Sequence, residues 1–136
     1  MKLFLTAVIC LLCSSVFSAD WTTYFKNEKI EIQFQYADCH DVHNGLHQQK
    51  IFLRFVNLSN QKEEVSFTKE LTFNNGKTSN ADARTFTVLL NANEEKTGEC
   101  SNKEDNALFL FSKQLNFTST ELRKFELKNI SVKTIQ

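Results

Sequence analysis

Proline is absent from the 136 residues, glycine occurs three times, at Gly45, Gly76 and Gly98, and the single methionine is Met1. Turns usually draw on proline and glycine, so here asparagine and aspartate must carry the turn chemistry. The stretches "HNGL", "NLSNQ", "NNGK", "NANEE" and "CSNKED" are the turns so expected. Three glycines this far apart exclude a glycine-rich phosphate loop. Neither "GxSxG" nor "HExxH" occurs, which removes the nucleophile elbow and the zinc helix. A charge excess is also missing, since 16 basic side chains balance 16 acidic ones. Bulk charge therefore draws the chain neither to nucleic acid nor to anionic lipid.

One apolar run stands out, at the N-terminus, where Lys2 precedes "LFLTAVICLLC" and then "SSVFSAD". A basic residue, a short apolar run and small residues form the order of a secretory signal peptide, with cleavage after Ser18 or Ala19. The run is too short for a membrane span, which takes roughly 20 apolar residues. Bulky Ile9 and Leu12 before Cys10 and Cys13 argue against lipid attachment. Residues 1–19 are expected to be removed and residues 20–136 to form one domain. The protein is then expected to be secreted or periplasmic, monomeric and without a membrane span after cleavage. Loss of Lys2 leaves 15 basic against 16 acidic side chains, a net charge of −1. Cys10 and Cys13 leave with the signal, so Cys39 and Cys100 remain in an oxidising compartment and are expected to pair.

Along 20–136, apolar residues recur with period two. In "KIEIQFQY", Ile30, Ile32, Phe34 and Tyr36 share one face while Lys29, Glu31, Gln33 and Gln35 share the other, the alternation of a half-buried strand. "KIFLRFVN" sets Ile51, Leu53 and Phe55 opposite Phe52 and Val56, a strand inside its sheet. "EVSFTKELTF" alternates through Val65, Phe67, Leu71 and Phe73 before an Asn-Gly turn in "NNGK". "RTFTVLLN" continues with Phe86, Val88 and Leu90, and "EKTGEC" reads as an edge strand carrying Cys100 towards Cys39. "ALFLFSKQLNF" reads as a central strand covered on both sides. In "KFELKNISVKTI", Phe125 and Leu127 share a parity that Ile130 and Val132 do not, which implies a bulge near Asn129. About seven strands and no long amphipathic helix define an all-β class. The expected architecture is a two-sheet antiparallel sandwich, immunoglobulin-like or fibronectin-like, with one disulfide; a small barrel is the alternative.

The pattern "C-x-D-x-x-N-G" at 39–45, then "FLRFVNLSNQKEEVSFTKEL", "FTVLLNANEEKTGEC" and "LRKFELKNISV", resembles small exported β-sandwich proteins of unknown function from flavobacteria-type bacteria. The resemblance spans nearly all of 20–136 and lies in pattern and in a composition rich in Asn, Lys, Phe and Ile. It implies an exported domain and no particular activity. "TVLLNANEEKTGEC" is also similar to the leucine-proline-glycine-glutamate loop of immunoglobulin-like sandwiches, with Ala92 and Asn93 in place of the proline and glycine.

All three histidines, His40, His43 and His47, fall in "ADCHDVHNGLHQQK" together with Asp38 and Asp41. Imidazole and carboxylate are donors for Zn²⁺ and Cu²⁺, so these five residues are the candidate metal ligands. A Cu(I) site is disfavoured because Met1 is lost with the signal. A helix would place the three imidazoles on one face, but Asn44 and Gly45 are poor helix formers. On a strand His43 and His47 share a parity that His40 opposes. The segment lies between two strong strands, and the simpler reading is a connecting loop turning at Asn44 and Gly45. Asp41 and Asn44 would cap that turn, with the histidines solvated.

Adjacent acids, Glu63 with Glu64 and Glu94 with Glu95, read as solvated surface charge rather than an acid–base pair. Sequons at Asn57, Asn116 and Asn129 have meaning only in a eukaryotic secretory pathway. Trp21, Tyr24 and Phe25 in "DWTTYF" read as a plug for one end of the sandwich ahead of a carbohydrate platform. The leading expectation is an exported non-enzymatic module that binds a protein or glycan through loops or a sheet edge. A Zn- or Cu-binding protein using residues 38–47 and a small extracytoplasmic hydrolase are the alternatives. No catalytic residue is identified, and no cofactor is expected beyond that Zn or Cu.

Overall fold

The computed structural model describes residues 20–79, 84–101 and 106–136. The expected signal segment, 1–19, and residues 102–105 of the expected "CSNKED" turn lie outside the described residues. Within them the strands are β1 (Thr22–Lys26), β2 (Ile30–Asp41), β3 (Leu46–Asn57), β4 (Lys62–Phe73), β5 (Thr78–Ser79), β6 (Phe86–Leu90), β7 (Glu95–Thr97), β8 (Phe109–Gln114) and β9 (Leu122–Ile135). They form two antiparallel sheets. In the first, β1, β2 and β3 lie side by side, and the far edge of β3 is shared end to end by β8 and β7. In the second, β4 is central, with β9 along one edge and β6 and β5 along the other.

The alternation in the sequence becomes the core. Ile30, Ile32, Leu53 and Phe55 of the first sheet meet Val65, Phe67, Val88, Leu90 and Leu127 of the second, all buried. The rings of Phe55 and Phe67 stack across the sheets with centroids 5.4 Å apart. Each such side chain contributes roughly 1.5–3 kcal/mol when withdrawn from water. The two-sheet architecture and the Cys39–Cys100 disulfide agree with the sequence reading. Asparagine does the work of glycine in two places, since Asn93 (φ 57°) and Asn129 (φ 54°) adopt the left-handed conformation that few other side chains tolerate. Asn129 sits where the β4–β9 register shifts, at the expected bulge.

Polar residues stitch the end of the sandwich where the chain crosses between sheets. Asn57, buried, donates from Nδ2 to the carbonyls of Gln61 (2.7 Å) and Asn91 (2.9 Å), so one side chain ties both crossings. Glu63 departs from expectation. It is 1 % exposed, lies opposite Thr134 on β9, and accepts hydrogen bonds from the hydroxyls of Thr134 (2.9 Å) and Ser59 (3.1 Å). Lys29 Nζ in turn donates to Thr134 Oγ1 at 3.0 Å. A carboxylate removed from water needs such donors, and the 58–61 crossing supplies one of them.

Two further differences have local causes. Residues 22–26, without clear alternation, form the edge strand β1, because Tyr24 and Phe25 pack against the core while Tyr24 Oη accepts the Leu127 backbone N–H at 2.9 Å. The chain expected to be the central strand, β8, pairs only with β3 among the described residues. Its unbroken apolar run is explained by Leu108 and Leu110 facing the core while the Phe109 ring lies under the Lys50 ammonium, 4.5 Å from the centroid. Among the described residues no helix is long and apolar enough to cross a membrane.

Candidate functional site: the tip of the β2–β3 hairpin

β2 and β3 pair without a break from Ile30 opposite Asn57 to Asp41 opposite Leu46. Directly opposed residues in an antiparallel pair share a face, so one face carries Ile30, Ile32, Phe34, Tyr36, Asp38 and His40 against Asn57, Phe55, Leu53, Ile51, Gln49 and His47. Its first half is core. Tyr36, 55 % exposed, marks the point at which β2 emerges from cover, and beyond it the face turns polar. Gln49 stays tied to the sandwich by accepting a hydrogen bond from the buried Ser112 hydroxyl at 3.1 Å.

The expected loop over 37–50 is therefore mostly strand, leaving only residues 42–45 as the turn. Val42–Asn44 form one 3₁₀ turn, and Asp41 caps it by accepting from the Asn44 backbone N–H (3.3 Å) and Nδ2 (2.7 Å). Gly45 closes it at φ 64°, a value that favours glycine. The turn chemistry assigned to Asp41 and Asn44 is thus what the structure contains.

The pairing brings together two of the five candidate ligands. His40 and His47 are directly opposed, with their Nδ1 atoms 2.9 Å apart and ring centroids 5.1 Å apart. His43 stands exposed on the turn. Asp38 faces Gln49, whose Nε2 is 3.5 Å away, and Asp41 is engaged with Asn44. Among the described residues no group of three or more His, Cys, Asp or Glu side chains has the arrangement to hold a metal ion. Of the five residues, the pairing brings the imidazoles of His40 and His47 together, while Asp38 and Asp41 face Gln49 and Asn44 and His43 is exposed.

The opposite face of the hairpin carries the disulfide. Cys39, buried, is bonded to Cys100 with the Cα atoms 5.4 Å apart, which draws residues 98–101 over the hairpin. Gly98 anchors the approach by donating its N–H to the Leu53 carbonyl at 3.0 Å. A side chain there would place Cβ 2.1 Å from the Leu108 carbonyl oxygen, so only glycine allows the two backbones to come this close. Between the hairpin and this segment lies a groove of about 590 Å³, lined by Val42, Leu46, Gln48, Lys50 and the disulfide, with His40 and His43 also on its wall. Val42 is 80 % exposed and Leu46 46 %. Lys50 spans the groove's inner end, its Nζ 3.4 Å from the Cys100 carbonyl.

Val42, Leu46, Lys50 and Gly98 did not stand out in the sequence as site residues. The signal that points to them is the coincidence of Cys39 with the start of an Asn-Gly hairpin, which predicts a cross-linked segment beside the tip. The aromatic residues of "DWTTYF" are engaged within the molecule, with Tyr24 and Phe25 packed against the core. The Arg54 guanidinium lies over Trp21, 4.1 Å from the ring centroid, and Tyr24 stacks on Phe125 at 5.6 Å. The chain matches no family model, no curated protein and no solved structure.

Proposed function

We propose that the protein is an exported, non-enzymatic binding module of immunoglobulin-like or fibronectin-like type, acting as a monomer. Its docking site is the groove at the β2–β3 hairpin tip, and its partner is a protein segment. The observation that carries this reading is the exposure of Val42 and Leu46 beside a groove bounded by the disulfide. Exposed apolar groups with a polar rim are what interaction sites present. The groove is of the size that accommodates an inserted side chain or short segment, within the roughly 300–1,000 Å³ range of ligand sites. A cross-linked wall also lowers the cost of ordering the site on binding. A protein partner is favoured over a glycan because sugars stack on open aromatic faces, and the groove is lined by Val42 and Leu46 with no Phe, Tyr or Trp among its lining residues. The disulfide supports export, since such bonds persist in oxidising compartments.

The test is a Val42→Asp, Leu46→Asp double variant recovered by affinity from the producing cells, beside wild type and Leu89→Asp, which alters an exposed leucine on β6. The proposal expects a partner recovered with wild type and Leu89→Asp and lost from the double variant. Equal recovery from all three would assign binding to another surface.

A further inference from the structure

The imidazole pair at His40 and His47 lies at the exposed end of the hairpin and takes no part in the core. We propose that it is a cupric-ion site in which the two Nδ1 atoms act as adjacent, cis ligands, and that His43, Asp38 and Asp41 are not part of it. The proposal does not depend on the partner proposed for the groove, on whose wall His40 also lies, and rests on distance and register. Metal–imidazole bonds are about 2.0–2.1 Å long. Two nitrogens at that distance from one ion and 2.9 Å from each other subtend about 90° at the metal. That is the cis angle of a square-planar or tetragonal complex, the geometry preferred by Cu(II). A tetrahedral Zn²⁺ site would hold the same atoms about 3.3–3.4 Å apart.

The backbone fixes which two imidazoles meet. His40 and His47 are direct cross-strand partners in an unbroken ladder, and the ladder ends one pair later at Asp41 and Leu46 in a turn capped by Asp41 and closed by Gly45. The scaffold is therefore rigid while the rings remain free to rotate about their side-chain bonds. In the metal-free form the 2.9 Å contact is a hydrogen bond from the Nδ1–H of one ring to the Nδ1 lone pair of the other. On binding, both rings take the Nε2–H tautomer, so that both Nδ1 lone pairs turn from each other to the ion. No net proton is released when the donating ring simply moves its proton to Nε2. With no third protein ligand among the described residues, the remaining equatorial positions belong to water or to a group from outside the chain. Copper is further favoured over zinc by the general order of divalent affinities for nitrogen donors.

The test uses the untagged, oxidised protein titrated with Cu²⁺ alone, read by calorimetry and by electron paramagnetic resonance, beside His40→Ala, His47→Ala and His43→Ala. The proposal expects one ion per chain and an axial Cu(II) spectrum with hyperfine splitting from two equivalent nitrogens. His40→Ala and His47→Ala each weaken binding by about tenfold or more, because each removes one of only two imidazoles, whereas His43→Ala leaves affinity within about twofold. Thermal unfolding of each variant, compared with wild type, separates loss of a ligand from loss of the fold. Equal weakening by all three substitutions, or binding that survives the His40→Ala, His47→Ala double variant, overturns the proposal, as does the absence of binding to wild type.

Discussion

Removing the Cys39–Cys100 bond should cost about 4 kcal/mol. The bond closes a loop across a sequence separation of 61 residues, and chain-entropy estimates for loops of that length give about 4.3 kcal/mol at 25 °C. Cys39 lies against the outer face of the hairpin and is nearly buried, so a Cys39→Ala, Cys100→Ala variant exchanges two small side chains for two others and loses chiefly the cross-link. With an unfolding entropy of about 2.1 cal/mol/K per residue over residues 20–136, the thermal midpoint should fall by about 17 °C. In urea, with a slope of roughly 2 kcal/mol/M, the midpoint should fall by about 2 M. The double variant should still fold, because Gly98 remains bonded to Leu53 and the core does not include the sulfurs. The assay is equilibrium unfolding of oxidised wild type against the double variant. A loss below about 1 kcal/mol would refute the reasoning, since it would mean that the unfolded chain is not restrained by this bond.

Glu63→Ala should lower stability by about 1–3 kcal/mol, because it leaves the part-buried Thr134 hydroxyl without its acceptor, whereas Ser59 can still donate to Asn57 Oδ1, while Glu64→Ala costs about 0.5 kcal/mol or less; urea unfolding of the pair checks the contrast. Glu31 is held below its ordinary carboxyl value first by the Thr23 hydroxyl, which donates to it at 2.7 Å, and then by Gln33 and Lys26. A depressed folded-state value means stability that is present above the unfolded carboxylate pKa and lost as pH falls through the folded one. Thr23→Val should therefore raise the Glu31 pKa and remove that part of the acid dependence, which carboxyl NMR titration measures. If the chain is produced through a eukaryotic secretory pathway, glycopeptide mapping should find Asn116 modified and Asn57 unmodified. Asn116 is exposed, whereas the Asn57 amide is already committed to the Gln61 and Asn91 carbonyls.

Much of this architecture is legible in the sequence because a sheet with one buried face writes itself as alternation. Ile30, Ile32, Phe67 and Leu90 could be placed without knowing their partners, and the parity change across Asn129 announced the bulge. Pairing across strands is harder to read. Along one strand His40 and His47 have opposite parity, yet they face each other because Asn44 and Gly45 fold the chain back between them. Register counted outward from that turn, rather than parity along the chain, is the signal that finds the pair. The burial of Glu63 is hidden in the sequence for a related reason, since it is set by Thr134 and by the 58–61 crossing, both remote from the adjacent Glu64. β1 was not anticipated because its edge position leaves Thr22, Thr23 and Lys26 exposed, and only Tyr24 and Phe25 meet the core.

The most direct test of the hairpin tip as the binding surface is site-specific photocrosslinking in the producing cells, with the photoreactive residue placed at Val42 and, separately, at Leu89. Both positions are exposed, and only Val42 borders the groove. The account predicts one discrete crosslinked product from position 42, absent from position 89 and abolished by Leu46→Asp. Crosslinking that is equal at the two positions, or indifferent to Leu46, would contradict it.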